Sequence, residues 1–267
     1  MAITSVDSAL AGMRPPVYMA KQLASGLVTA RPLSTFYLPG SLGAAAVVNS
    51  SPVGVALTSA SGQIPVPAVF NNTHLARFSG VCSSQPGLLL LCDRLWHNSG
   101  ILSTAITAQT VNSVAFPPRD SEGTVNGTQV LLGVELLSNM GVGTPAFTVN
   151  YTNSAGVANR TGTNLVATGA NASTGGFFPI GLDVGDTGVR SVQSIQLSAT
   201  WTSGTLQLVA YRVVAALELP SAGIANAVDV LTSGMPRLYN GSVPFLQFTP
   251  SSTATGVLSS TLVFTQG

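Results

Sequence analysis

Two soft sulfurs, of Cys82 and Cys92, and two imidazoles, of His74 and His97, fall in one short stretch of the chain. Structural zinc takes thiolate and imidazole donors as a tetrahedron, usually with two of them presented closely by one turn. Here the two cysteines are well separated and neither half shows the close pairing. Burial for ordinary packing is the commoner fate of a free cysteine. No metal ligand and no cofactor site is expected.

Nucleophilic catalysis would require a serine or cysteine, a base and an orienting carboxylate. His74 and His97 are the only imidazoles, and no Gly-x-Ser-x-Gly elbow exposes a serine. Asp93 is near His97 but reads more simply as the partner of its neighbour Arg94. Glycoside hydrolysis needs two opposed carboxylates. Glu135 and Glu218 fall in expected strands and read as strand-edge ion pairs, whereas Asp120 and Glu122 fall in a turn. Asp183 and Asp186 share a glycine-containing turn that hints at calcium, but two carboxylates fall short of a shell of about six to eight oxygens. No glycine-rich phosphate loop is present. No catalytic residue is assigned, and the chain is expected not to be an enzyme.

Composition narrows the classes further. Of 267 residues only 7% are charged, against roughly 25% in an ordinary soluble domain, and the net charge is +1. Lys21 is the only lysine and the nine arginines are scattered, which excludes a basic nucleic-acid binder. With 45% hydrophobic residues the chain is not disordered. The beginning, Met1 to Asp7, shows no signal-peptide pattern, and no apolar run is long enough for a membrane helix. Sequons begin at Asn49, Asn71, Asn126, Asn150, Asn159, Asn171 and Asn240, as chance allows in a chain rich in Ser and Thr. A neutral surface favours self-association.

The elements that must carry these residues are mostly strands. Phe147, Val149 and Tyr151 alternate with polar residues, as do Ile195, Leu197, Ala199 and Trp201. Ser203-Gly204 then reads as the turn of a hairpin whose return strand is 206–219. Further strands are expected at 130–137, 165–168, 177–180, 243–248 and 260–265, and residues 88–96 read as a buried strand although helical spacing also fits. Helices are expected at 17–25 and after Ser221, where Ile224, Ala227, Val228 and Leu231 share a face. The piece from 32 to 67, broken by Pro and Gly, reads as extended segments. The fold class is mainly β: a β-sandwich or jelly-roll body over 71–267, an extended N-terminal arm over 1–70, and one or two short helices.

Several strings resemble a family of tailed-bacteriophage virion structural proteins. They are Asn72 to Phe78, Leu89 to Ile101, Val149 to Gly156 with Arg160-Thr161-Gly162, Gly185 to Ile195, and the start Met1 to Asp7. The resemblance implies a head or tail component without catalysis and carries over no functional residue. The expected role is a capsid decoration (cement) protein, a homotrimer on the capsid surface of the virion, made in the host cytoplasm. Its partners would be the major capsid protein or neighbouring virion subunits. The alternatives are a tail or head–tail joining component, or a receptor- or glycan-binding module using Tyr151 and Trp201. The stretch from Pro32 to Pro67, with the N-terminal residues before it, is expected to supply the contacts, so that removal of residues 1–40 abolishes binding while the body from Asn72 onward still folds.

Overall fold

Period-two burial is clearest at residues 147–151: Phe147, Val149 and Tyr151 are buried and the residues between them are not. The computed structural model describes residues 3–23, 25–46, 52–68, 72–111, 115–234 and 236–267. Its first strands are β1 (Val17–Gln22), β2 (Leu33–Ser34), β3 (Val55–Ala56), β4 (Thr73–Cys82), β5 (Gly87–His97), β6 (Ile101–Leu102) and β7 (Gln109–Thr110). There follow β8 (Val130–Leu136), β9 (Phe147–Asn153), β10 (Arg160–Asn164), β11 (Phe177–Gly181), β12 (Val189–Leu197) and β13 (Thr205–Leu219). The last are β14 (Asn226–Asp229), β15 (Arg237–Leu238), β16 (Pro244–Pro250) and β17 (Val257–Gln266). Two short helices, α1 (Val6–Ala11) and α2 (Val230–Ser233), complete the described elements.

The strands form two antiparallel sheets. One runs β1-β17-β4-β14, with β15 also on β4. The other runs β2-β16-β5-β13-β8-β11-β10-β9-β12-β7, with β3 on β5 and β6 on β13. The fold is mainly β with little helix, and the long sheet curls into a half-barrel, giving a jelly-roll or β-sandwich body. One core lies between the two sheets and includes Met19, Leu75, Phe78, Leu89, Leu217, Phe248 and Leu262. A second fills the curl with Val134, Phe147, Ile180, Ile195, Trp201 and Leu208. A third, with Phe36, Tyr37, Leu57, Phe177, Tyr211 and Phe245, lies under the segment that follows β2.

β13 connects all three cores: Leu208 faces the second, Tyr211 the third and Leu217 the first. A strand buried on both faces needs hydrogen-bonding neighbours on both edges. β13 takes β5 on one side and β8 on the other, so the expected hairpin with β12 does not form. The chain leaves β12 after Leu197, and the Trp201 N–H instead donates to the Ser103 carbonyl at 2.9 Å. Ala199 is exposed accordingly, while Trp201 is buried.

Both expected helices are corrected. Residues 17–22 are strand β1, paired with β17 along its whole length, because tertiary pairing outweighs the weak preference of a short segment for helix. After Ser221, Gly223 adopts φ +71°, outside the right-handed helical region, and the chain turns into β14 along β4. Only α2 remains helical there, and the Leu231 side chain lies outside the described residues. The strand expected at 165–168 lies earlier, at β10, and Leu165 is exposed. Residues 88–96 are strand, within β5.

Within residues 1–70, β1 adds to the first sheet, and Phe36 and Leu38 are buried in separate cores. Lys21 is buried too: its ammonium donates to the carbonyls of Leu38 at 2.9 Å, Leu42 at 2.6 Å and Gly43 at 3.2 Å. Burial pushes its pKa down to about 8. α1 is closed by reciprocal Ser5 and Ser8 bonds and lies beside β17, where the Thr265 hydroxyl donates to the Ala9 carbonyl at 2.5 Å. Val6 and Leu10 of α1 face outward.

Candidate functional site

The densest set of ionisable groups lies inside the molecule, where β5, β8, β13 and the segment around Arg119 meet. Asp93 and Arg94 are neighbours on β5, and successive side chains of a strand point to opposite faces. They therefore do not pair with each other, contrary to the expectation from their adjacency. Asp93 accepts from the Val243 N–H at 2.8 Å and the Ser242 hydroxyl at 3.0 Å. It also lies 3.3 Å from the Arg119 guanidinium and 3.7 Å from that of Arg212. Arg94 instead pairs with Glu135 of β8, both fully buried.

Around that pair the packing is aromatic and polar at once. The Arg94 guanidinium lies 4.3 Å from the Phe36 ring centre and 5.2 Å from that of Phe245, a cation–π arrangement strengthened by exclusion of water. Gln207 of β13 donates to Glu135 at 2.6 Å and to the Tyr37 hydroxyl at 3.0 Å. Burial, and after it the Glu135 charge, pushes the Tyr37 pKa up to about 12. Arg119 donates to the carbonyls of Leu57 at 2.7 Å and Arg94 at 2.9 Å, and to that of Gly241. Burial of this kind is affordable only where charges are paired and hydrogen-bonded. The arrangement ties β5, β8, β13 and the loops at 36–37, 57, 119 and 241–243 together, with its charges turned inward.

The residues singled out from the sequence are dispersed. His74 and Cys82 belong to β4, in one sheet, whereas Cys92 and His97 belong to β5, in the other. Among the described residues, no three or more His, Cys, Asp or Glu side chains come together as a metal-holding group. His97 is buried, and burial followed by the Arg94 charge pushes its pKa down to about 3, so the ring is neutral. Burial, then Asp93, pushes the Cys92 thiol well up, which removes its nucleophilic thiolate form. Glu218 is exposed on β13, away from Glu135 in the core.

Asp183 and Asp186 hold a turn, the first partly exposed and the second turned inward. Asp186 accepts from the Tyr151 hydroxyl at 2.6 Å, the Asn153 amide at 2.6 Å and Arg160 at 3.0 Å. Burial acts to raise its pKa, yet these bonds outweigh it and hold the carboxyl below its ordinary value. Asp183 lies 3.3 Å from the same arginine. In the turn after Arg119, Asp120 is likewise buried and accepts five hydrogen bonds, from Glu122, Thr124, Gly127 and Thr128. Tyr151 is buried, and Trp201 is buried with its indole N–H donating to the Gly169 carbonyl at 3.3 Å. Neither ring offers a face on which a sugar could stack.

The importance of Arg94 and Glu135 was concealed in the sequence by the Asp93-Arg94 adjacency. One signal was available: in a chain with so few charges, an arginine and a glutamate inside apolar strands must find partners. The sequons at Asn49 and Asn71 lie outside the described residues.

No family model matches the chain, and no curated protein matches it. Solved structures similar to it are of infectious bursal disease virus. A structure of virus-derived T=1 particles is 9% identical, with 96% of this chain and 79% of that chain covered and a TM-score of 0.21. A VP2 subviral particle is 10% identical, with 96% and 81% covered and a TM-score of 0.21. The T13 viral particle is 10% identical, with 96% and 78% covered and a TM-score of 0.21. Likeness at this level carries nothing over to this chain. These structures are not from a tailed bacteriophage, and the strings that resemble phage virion proteins do not assign the chain to that family. The phage cement role falls with that resemblance.

Proposed function

We propose that the chain is a non-enzymatic structural subunit of a virus capsid, held in the particle by contacts with other capsid subunits. The observation that carries this reading is where the charge lies. Seven of the nineteen charged residues are buried: Lys21, Asp93, Arg94, Arg119, Asp120, Glu135 and Arg212. The remaining twelve, six of each sign, leave an exterior as sparsely charged as the chain itself and without net charge, and its loops and N-terminal helix expose Val184 at 92%, Leu165 at 70% and Val6 at 67%. A neutral exterior with apolar tips resists isolation in water and suits repeated contact with like subunits. Many identical weak contacts then add through avidity. The inward-facing, ion-paired acids Asp93 and Glu135 and the neutral buried imidazole of His97 support a role without catalysis.

In this reading the outward face of α1, with Val6 and Leu10, is one contact with a neighbour, and a trimer is the expected local unit. The test is analytical ultracentrifugation and electron microscopy of the purified protein at low and at molar salt. Closed particles or discrete oligomers that persist in molar salt are expected, because neutral contacts are not screened. A protein that stays monomeric at all concentrations and salts overturns the reading.

A further inference from the structure

The chain contains two Asn-Gly pairs, Asn126-Gly127 and Asn240-Gly241, and the fold treats them differently. Glycine lacks the Cβ that would keep its backbone nitrogen from the preceding side chain. In such a pair that nitrogen is the natural nucleophile toward the asparagine amide. At the first pair it is occupied: the Gly127 N–H donates to the Asp120 carboxylate at 3.0 Å, within the buried five-bond cage. The Asn126 N–H is held as well, by the Thr124 hydroxyl at 3.2 Å.

At the second pair the restraint is absent. Asn240 and Gly241 are the central residues of a turn closed by the Ser242 N–H donating to the Tyr239 carbonyl at 3.0 Å. Gly241 adopts φ +75°, and its N–H has no hydrogen-bond partner among the described residues. Asn240 is exposed at a cleft of about 190 Å³, lined by Thr58, Gln63, Tyr239 and Ser242, through which water reaches the turn.

From this contrast we infer that Asn240 is a site of spontaneous deamidation in the folded protein, while Asn126 is protected. The Gly241 nitrogen attacks the Asn240 Cγ; the new C–N bond closes a succinimide, the Cγ–amide bond breaks, and the amide leaves as ammonia with the Gly241 proton. Water then opens one of the two imide carbonyls, leaving aspartate or isoaspartate. The new carboxylate lies in a setting rich in cations. The Gly241 carbonyl accepts from Arg119, and the Tyr239 ring lies 4.8 Å from the Arg237 guanidinium and 5.3 Å from that of Arg212. The isoaspartyl form also lengthens the backbone of the turn and displaces the carbonyl that Arg119 holds. Conversion at Asn240 is thus a slow, irreversible change at the edge of the buried charge network.

The test is ageing of the purified full-length protein at mildly alkaline pH, followed by peptide mapping with mass spectrometry that separates aspartate from isoaspartate. A parallel sample is aged in urea. In the folded protein position 240 should convert several-fold faster than position 126, and in urea the two rates should converge. An Asn240→Ser variant should lose the main acidic species that accumulates in the wild type. Equal rates at the two positions in the folded protein, or no conversion at 240 except in urea, overturns the inference.

Discussion

The Arg94 to Glu135 ion pair straddles β13: Arg94 lies on β5, Glu135 on β8, and β13 runs between them, its Gln207 donating to Glu135 at 2.6 Å. The pair therefore locks the relative position of three strands. Removing one partner leaves the other charged and dry. Arg94→Met or Glu135→Leu alone should each cost about 3–5 kcal/mol, and the double replacement should recover much of that loss. Urea denaturation of the three variants checks it, and single variants indistinguishable from wild type would show that the pair is dispensable.

Stability should fall with acid through two sets of groups. The folded pKa of His97, about 3, lies below its ordinary 6.5, so between those values the unfolded chain binds a proton that the folded chain refuses. Its contribution is full above 6.5 and declines toward pH 3, with a slope of at most about 1.4 kcal/mol per pH unit. Asp186 and Asp120, held below their ordinary value by hydrogen bonds that outweigh burial, lose their contribution only in the carboxylate range and below. His97→Leu should therefore flatten the unfolding free energy between pH 6.5 and 4.5 while the steeper acid loss remains. An unchanged pH profile in that variant would mean that the imidazole is reached by water.

Trp201 fills the curl beside Phe147, their ring centres 5.8 Å apart, and is buried although it follows the end of its strand. Trp201→Ala should cost roughly 3–5 kcal/mol. Its fluorescence in the native protein should be blue-shifted and shielded from a soluble quencher; ready quenching would contradict the burial.

Deleting residues 1–40 should unfold or strongly destabilise the protein. The deletion removes β1 from β17 and takes Met19, Leu23, Leu27, Leu33 and Leu38 from the core between the sheets, and Phe36 from the core beside it. The exposed apolar face of α1 is a separate matter, and Val6→Asp with Leu10→Asp should weaken self-association without lowering the melting temperature. Circular dichroism and sedimentation of the two proteins separate these outcomes, and a truncated protein that melts like the full chain would show the segment to be a detachable arm.

Much of the fold was legible in the sequence because burial along a strand repeats every two residues. That local period located β9, with the buried positions of Phe147, Val149 and Tyr151, and the Tyr211 face of β13, whereas β8, β13 and β16 are buried almost throughout. It also sufficed to exclude a basic nucleic-acid binder, since one lysine and nine scattered arginines are a matter of counting. Pairing was not legible. β13 avoids its sequence neighbour β12 and lies between β5 and β8, because only a central position gives hydrogen bonds to both edges of a strand buried on both faces. Segment 17–22 carries residues that fit a helix, yet the exposed hydrogen-bonding edge of β17 makes it a strand.

The charges divide in the same way. Their scarcity is a property of the sequence alone, and it already implied a neutral surface. That Asp93 turns toward Arg119 and Arg212 while Arg94 turns toward Glu135 was decided by the tertiary structure. Adjacent strand residues point apart, so each must find its counter-charge on whatever element the fold brings to its own face.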